Sequence, residues 1–282
     1  MKLKTIIIVL AMVLFGCFAG TAAADSIPSG WTCSGNCGSS GVDGVVTLSP
    51  TGNSSYQWAS TTNGPNGVGV LPTGALGMET NGSTLATTVF SATAGTSLSF
   101  YFNYVTSDGA GFSDYAWAEL FNSSKSPVAL LFTARTEPTG SIVPGTGLPS
   151  PLATLNPTSV PIHSGGPAWS PLGSSSGTCF AAGCGFTGWV NSSYTIATAG
   201  NYYLEIGVTN WQDTLFDSGL AVDGVSVGGV PITPPSGGGN PPPVTTAEPS
   251  TLALLSVGLA GLLARRRKHK DGVITTTWEP LA

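Results

Sequence analysis

Histidine is nearly missing from this sequence: two occur in 282 residues, and one of them, His269, lies close to the end. Only His163 is left to serve a Ser-His or Cys-His arrangement, and neither a G-x-S-x-G elbow nor an H-E-x-x-H motif is present. Charge is equally scarce, at 8% of residues. Between residues 25 and 247, eleven acidic side chains face only Lys125 and Arg135, a net charge of −9. Such a body has no basic patch, which excludes a nucleic-acid-binding surface. It also lacks the Ala, Glu, Lys and Leu mixture of helical bundles. Glycine (39) and proline (21) are abundant instead. Long apolar runs are confined to the two ends, which excludes a polytopic membrane protein.

Both ends read as sorting signals. Lys2 and Lys4 precede apolar residues 6–18, and small residues lead to Ala22, Ala23 and Ala24. These are the three regions of a secretory signal peptide over 1–24, an N-terminal signal helix with cleavage after Ala24. Lipidation at Cys17 is disfavoured by the bulky Phe15 in its lipobox. At the other end a Pro/Gly linker (230–246) is followed by Ala247-Glu248-Pro249-Ser250-Thr251. Uncharged residues then run to Ala264, followed by Arg265, Arg266, Arg267 and Lys268, and a tail fills 269–282. Residues 251–264 make about 21 Å of helix at ~1.5 Å per residue. That is short for a ~30 Å hydrocarbon core. This short hydrophobic helix can insert transiently, with the arginines on the cytoplasmic side.

The segment EPSTLALLSVGLAGLLARRRK resembles the PEP-CTERM sorting domain. Ala247 stands where that family has its first proline. The resemblance implies that exosortase reads Glu248, Pro249, Ser250 and the cluster Arg265, Arg266, Arg267. It also implies cleavage near Glu248-Pro249 and transfer to the cell surface or exopolysaccharide matrix.

The middle, 25–229, is strand-rich. Leu98, Phe100, Phe102 and Tyr104 alternate with polar neighbours, as do Tyr202, Leu204, Ile206 and Val208. Period-two patterning predicts strands with one core face. Further strands are expected at 45–49, 56–59, 85–91, 115–121, 128–134, 190–196 and 219–227. About nine short strands and no 3.6-residue period predict an all-β fold, an antiparallel β-sandwich of jelly-roll type. The blocks at 98–120 and 200–227 resemble galactose-binding-like and carbohydrate-binding jelly rolls. Residues 136–188 hold eight prolines and are expected to form a long loop, functional or disordered.

Export places the four body cysteines in an oxidising compartment. Three pairings are open. Local pairs, Cys33 with Cys37 and Cys179 with Cys184, are preferred because each lies in a Gly-rich loop, and zinc is disfavoured because no histidine flanks them. Calcium is a candidate cofactor, since hard cations take carboxylates with short flexible spacing. Asp108, Asp114, Asp213, Asp217 and Asp223 offer these, against the simpler reading as turn formers. Asp223 is expected to face the same side as Val225 and Val227 and, if buried, to need a partner. Trp169 and Trp211 fall in expected loops and are candidates for stacking on an exopolysaccharide or surface glycan. Trp117 and Trp189 fall in strands and are expected in the core. Glu119 and Glu205 are strand carboxylates that a glycosidase would need to bring together. The sequence therefore predicts a non-enzymatic secreted protein sorted by exosortase. The alternatives are a calcium-dependent carbohydrate-binding module and a secreted polysaccharide hydrolase.

Overall fold

The computed structural model describes residues 26–232. The expected signal and sorting segments, the two helices expected in them, and Ala24, Glu248, Pro249, Ser250, Arg265, Arg266 and Arg267 lie outside that range. The described chain forms two packed antiparallel sheets. The first runs in the order β1 (Thr32–Ser34), β4 (Glu79–Ala86), β15 (Gly200–Trp211), β7 (Tyr115–Asn122) and β8 (Pro127–Arg135), with β5 (Phe90–Ala92) added beside β15. The second runs β10 (Thr154–Asn156), β14 (Val190–Thr195), β6 (Ser97–Thr106), β16 (Ser218–Val227), β3 (Tyr56–Ser60) and β2 (Asn36–Ser40). Short strands β13 (Gly185–Phe186), β12 (His163–Ser164) and β17 (Val230–Pro231) extend this sheet, while β9 (Ser141–Val143) pairs separately with β11 (Val160–Pro161).

Taking the eight principal strands in chain order (β3, β4, β6, β7, β8, β14, β15, β16), the sheets read 1-8-3-6 and 2-7-4-5. This is the double Greek key of a jelly roll, as the turn-separated alternation predicts. Successive strands mostly land in opposite sheets, so each buries its apolar face against its sequence neighbour.

The alternating residues carry the packing. Leu98, Phe100, Phe102 and Tyr104 of β6 meet Leu204, Ile206 and Val208 of β15 in the main core. Phe102 stacks on Phe132 at 3.8 Å between centroids. In β8 the alternation changes phase at a register shift opposite Ala118/Glu119: Ala129 and Leu131 point inward before it, Phe132 and Ala134 after it. One extra residue reverses the face in this way.

A second bulge corrects an expectation. The register of β16 against β6 shifts between Asp223 and Ser226, at Gly224 with φ +65°. Val222 and Val225 therefore both enter the core, and Asp223 takes the opposite face from Val225. It is buried there by a loop. Ser49 Oγ and Thr51 Oγ1 donate to its Oδ2, and Asn53 Nδ2 (2.9 Å) and the Gly224 amide (2.7 Å) donate to Oδ1. The carboxylate is thereby fully partnered. A side chain at residue 224 would meet Thr51 Cγ2 at 2.3 Å, which adds a steric demand for glycine to the left-handed one.

Both outer faces are also covered. On the second sheet, Tyr56, Trp58, Val105 and Ala221 pack against Val46, Trp169 and Leu172. On the first, Tyr115, Trp117, Phe121 and Leu130 pack against Leu71. The Pro-rich segment 136–188 supplies much of this covering. It contains β9 to β13 and a 3-10 helix, Ser170–Ser175, and it buries Ile142, Val143, Leu155, Val160, Trp169 and Leu172. It is an integral layer of the sandwich, not a dangling insertion. The strand expected at 45–49 is replaced by an isolated bridge between Asp43 and Val46. One edge strand of each sheet, β1 and β2, was hidden by the Gly-rich composition.

Candidate functional site

Three loops converge at one end of the sandwich: 107–114 after β6, 178–184 before β13, and 212–217 after β15. Their backbones are tied together. The Phe180 amide donates to the Ser107 carbonyl (2.9 Å), Ala110 to Ala182 (2.8 Å), and Ser107 to Asp217 (3.1 Å). Cys179 and Cys184 form a disulfide that closes the middle loop. Cys33 and Cys37 form the other, where the chain passes from β1 in the first sheet to β2 in the second. Both local pairings are as the sequence suggests.

An aromatic cluster caps this end. Phe112 meets Phe180 edge-on at 5.3 Å, and Phe180 meets Phe216 at 5.0 Å. Phe180 is 46% exposed, and Leu215, which precedes Phe216 in the chain, 61%. Apolar side chains held open to solvent on cross-linked loops are costly without a partner. At the rim, the Arg135 guanidinium lies 4.9 Å over the Trp211 ring. Arg135 is also fixed by the carbonyls of Ser113 (3.2 Å) and Thr146 (3.1 Å).

Beneath the cap lie two buried carboxylates, Asp108 and Asp114. Asp114 accepts from the Trp211 amide (2.9 Å) and Ser218 Oγ (2.7 Å). Asp108 accepts from the Gly109 amide on one oxygen, and its other oxygen has no partner. Burial pushes the Asp108 carboxyl up to about 7, and the charge of Asp213 adds to this. Burial first, then the charge of Asp108, raises Asp114 well above the usual carboxylate range.

The five aspartates thus separate. Asp108 and Asp114 share one polar pocket, with Asp213 close enough to act on both electrostatically. Asp213 also receives the Leu215 amide, a turn-former's bond. Asp217 is saturated by Thr61 Oγ1 (3.0 Å) and Ser175 Oγ (3.1 Å). Asp223 is on another face. Among the described residues, no three His, Cys, Asp or Glu side chains are grouped so as to hold a metal ion. The oxygens of Asp217 and Asp223 are spent on hydroxyl and amide donors, so the donor set does not assemble the calcium site the spacing suggested.

The tryptophans also sort. Trp211 closes β15, half-buried at the rim. Trp169 is 1% exposed, and its Nε1 donates to Tyr56 Oη at 2.9 Å. It is a core residue of the outer layer and cannot stack on a glycan. Trp117 is buried as expected, and Trp189 is partly buried, packed against the outer cluster. His163 is exposed, stacked at 5.0 Å on Phe186. The sequence reading missed Phe112, Phe180 and Phe216. Their clustering rests on three separate loops meeting, which no local pattern encodes.

Glu119 and Glu205 are brought together. They are directly opposed in the register of β7 and β15, on the outer face of the first sheet.

Residues 247–268 match the family model of the PEP-CTERM protein-sorting motif. The motif marks an exported protein, sorted by exosortase to the cell surface or extracellular space. No curated protein matches the chain.

Proposed function

We propose that this jelly-roll domain is a non-enzymatic binding domain, displayed outside the cell, that takes extracellular polysaccharide at its loop end. The observation that carries this reading is the open cluster of Phe112, Phe180 and Phe216 beside Trp211. Apolar ring faces over polar loops are how protein surfaces grip sugar rings. The acid pocket below orders the loops and leaves the aromatic surface to make the contact. A glycosidase needs two carboxyls flanking a scissile bond. Glu119 and Glu205 rise side by side from one sheet face, a poor arrangement for that chemistry.

The exported chain should be retained on the producing organism's exopolysaccharide, with calcium or with chelator alike. Phe180→Ala should reduce retention about tenfold, since an exposed ring contact of roughly 1–1.5 kcal/mol is removed. Equal retention of the variant, or none of the parent chain, would refute the loop-end site. Release of reducing ends during incubation would refute the non-enzymatic reading.

Processing makes a separate prediction. Intact-mass analysis of the exported form should show a chain starting at Asp25 and ending near Glu248. An exported chain that retains Ala282 would contradict cleavage at the motif.

A further inference from the structure

The outer face of the first sheet carries a second feature, four positions along the strand register from the Tyr115–Thr209 pair at the loop end. Cross-strand pairs lie in a row: Tyr203 with Phe121, then Glu205 with Glu119, then Gly207 with Trp117. The aromatic pair is stacked at 5.3 Å. Side chains directly opposed in this way have Cβ atoms about 5 Å apart, so the two carboxyl groups sit side by side. Like charges at that spacing are destabilising.

Compensation is incomplete. Thr73 Oγ1 donates to Glu119 Oε1 at 2.8 Å, but Oε2 is buried without a partner. Among the described residues, Lys125 is the only cation whose charge acts on Glu205. Burial raises both carboxyls, and the charge of Glu205 raises Glu119 further. A groove of about 320 Å³ reaches Glu119 between Thr73, Pro127, Val128, Leu130 and Leu152. That is the small end of ligand clefts, roughly 300–1,000 Å³. Val128 and Leu152 are 40% and 66% exposed. Glu119 itself is only 1% exposed, so the floor admits a narrow head and not a sugar ring.

We propose that this groove is a binding site for a small aliphatic polyamine. Of the two opposed carboxylates only Glu119 lines the groove. A protonated primary amine there meets it directly with up to three N–H donors and is attracted by the charge of Glu205 beside it. The unpartnered oxygen of Glu119 accepts one of them. A methylene stem fits the apolar walls of Val128, Leu130 and Leu152. The body's acidic excess raises the local concentration of any such cation. This site is independent of the loop end.

The test is calorimetric titration of the exported chain at pH 7.5 with cadaverine, and with 1,5-pentanediol as its uncharged counterpart. Cadaverine should bind saturably in the millimolar range or tighter, and the diol should not. Glu119→Gln should weaken binding about tenfold, the loss of a charge-assisted bond, and Glu205→Gln should weaken it less, the loss of a neighbouring charge. Both variants should melt no lower than the parent chain, because each removes one of two repelling charges. Lys125→Met should tighten binding, a change that a merely structural role for the pair does not produce. Phe180→Ala should leave amine binding unchanged. No saturable heat with cadaverine, equal binding of the diol, or glutamine variants that bind like the parent would overturn the proposal. A lysine side chain, presented as N-acetyl-lysine methylamide, serves as the other amine source. Tighter binding of it than of cadaverine or spermidine would overturn the polyamine assignment.

Discussion

Trp169→Ala should cost about 3–5 kcal/mol of unfolding free energy, the usual loss for truncating a buried Trp. For a domain of this size that is a drop in Tm of roughly 6–20 °C. The ring fills a site that the sequence prepares from several directions. It lies over Gly219, where an added Cβ would come within 2.4 Å of its Cζ3. It meets Trp58 edge-on at 6.5 Å and donates to Tyr56 Oη. Truncation opens a cavity among Tyr56, Trp58 and Leu172 and leaves a buried phenol short of a partner. It also loosens the seat of the 3-10 helix, because the ring packs in one cluster with Leu172 of that helix. Trp211→Ala is the contrast: half-buried at the rim, it should cost under about 2 kcal/mol. Thermal melts of the two variants separate a core tryptophan from a surface one. A Trp169→Ala protein that melts within about 2 °C of the parent chain would contradict this packing. Loss of glycan retention in Trp169→Ala would say nothing about sugar contact, because its layer of the fold is compromised.

Trp169 also shows where sequence patterning stops. Within strands, alternation predicted the inward face of β6 and of β15 residue by residue, because side-chain period is a local property. Seven of the eight principal strands were legible for the same reason; the strand expected at 85–91 straddles the end of β4 (Glu79–Ala86) and the start of β5 (Phe90–Ala92). The exceptions have physical causes. One inserted residue in β8 and another at Gly224 invert the faces that follow, and a bulge is set by tertiary fit more than by pattern. Trp169 falls in an expected loop, which made it a candidate glycan contact. Burial there comes from a segment laid across the sheet's outer face, and nothing local records which face it covers. The opposed pair Glu119 and Glu205 depends on the register of strands more than 80 positions apart. Phe180 depends on loop convergence. Candidate sites built from short spacing, the aspartates above all, mixed residues that the fold sends to different places.

Stability should fall as pH rises from about 4 to about 7, opposite to a protein held by salt bridges. In the unfolded chain Asp108 loses its proton near ~3.9. In the folded chain burial raises it to about 7. Between those values the native state holds protons that the unfolded state has released, so unfolding free energy declines with pH. The stabilisation is complete below the unfolded value and is lost as pH rises through the folded one. Asp114, Glu119 and Glu205 are shifted in the same direction. Glu79 acts the other way. Burial pushes it up, but bonds from the Leu76 and Gly77 amides and from Tyr115 Oη outweigh that and hold it below the usual range. Its contribution is present above ~4.3 and fades at lower pH, so the optimum lies in mild acid. The charge acting on Asp108 is that of Asp213, and the charges acting on Asp114 are those of Asp108 and Asp213. Arg135, the nearby cation, is engaged by Trp211, Ser113 and Thr146. The Tm at pH 5 should therefore exceed that at pH 8 by roughly 4–8 °C, the equivalent of about 2 kcal/mol. Asp108→Asn keeps the shape, removes the titration and should flatten the slope. A Tm that rises from pH 5 to pH 8 would show these carboxylates to be charge-paired after all. Calcium at pH 8 should leave the melt unmoved. A calcium-induced rise abolished in Asp108→Asn would mean that a metal, and not a proton, neutralises the pocket.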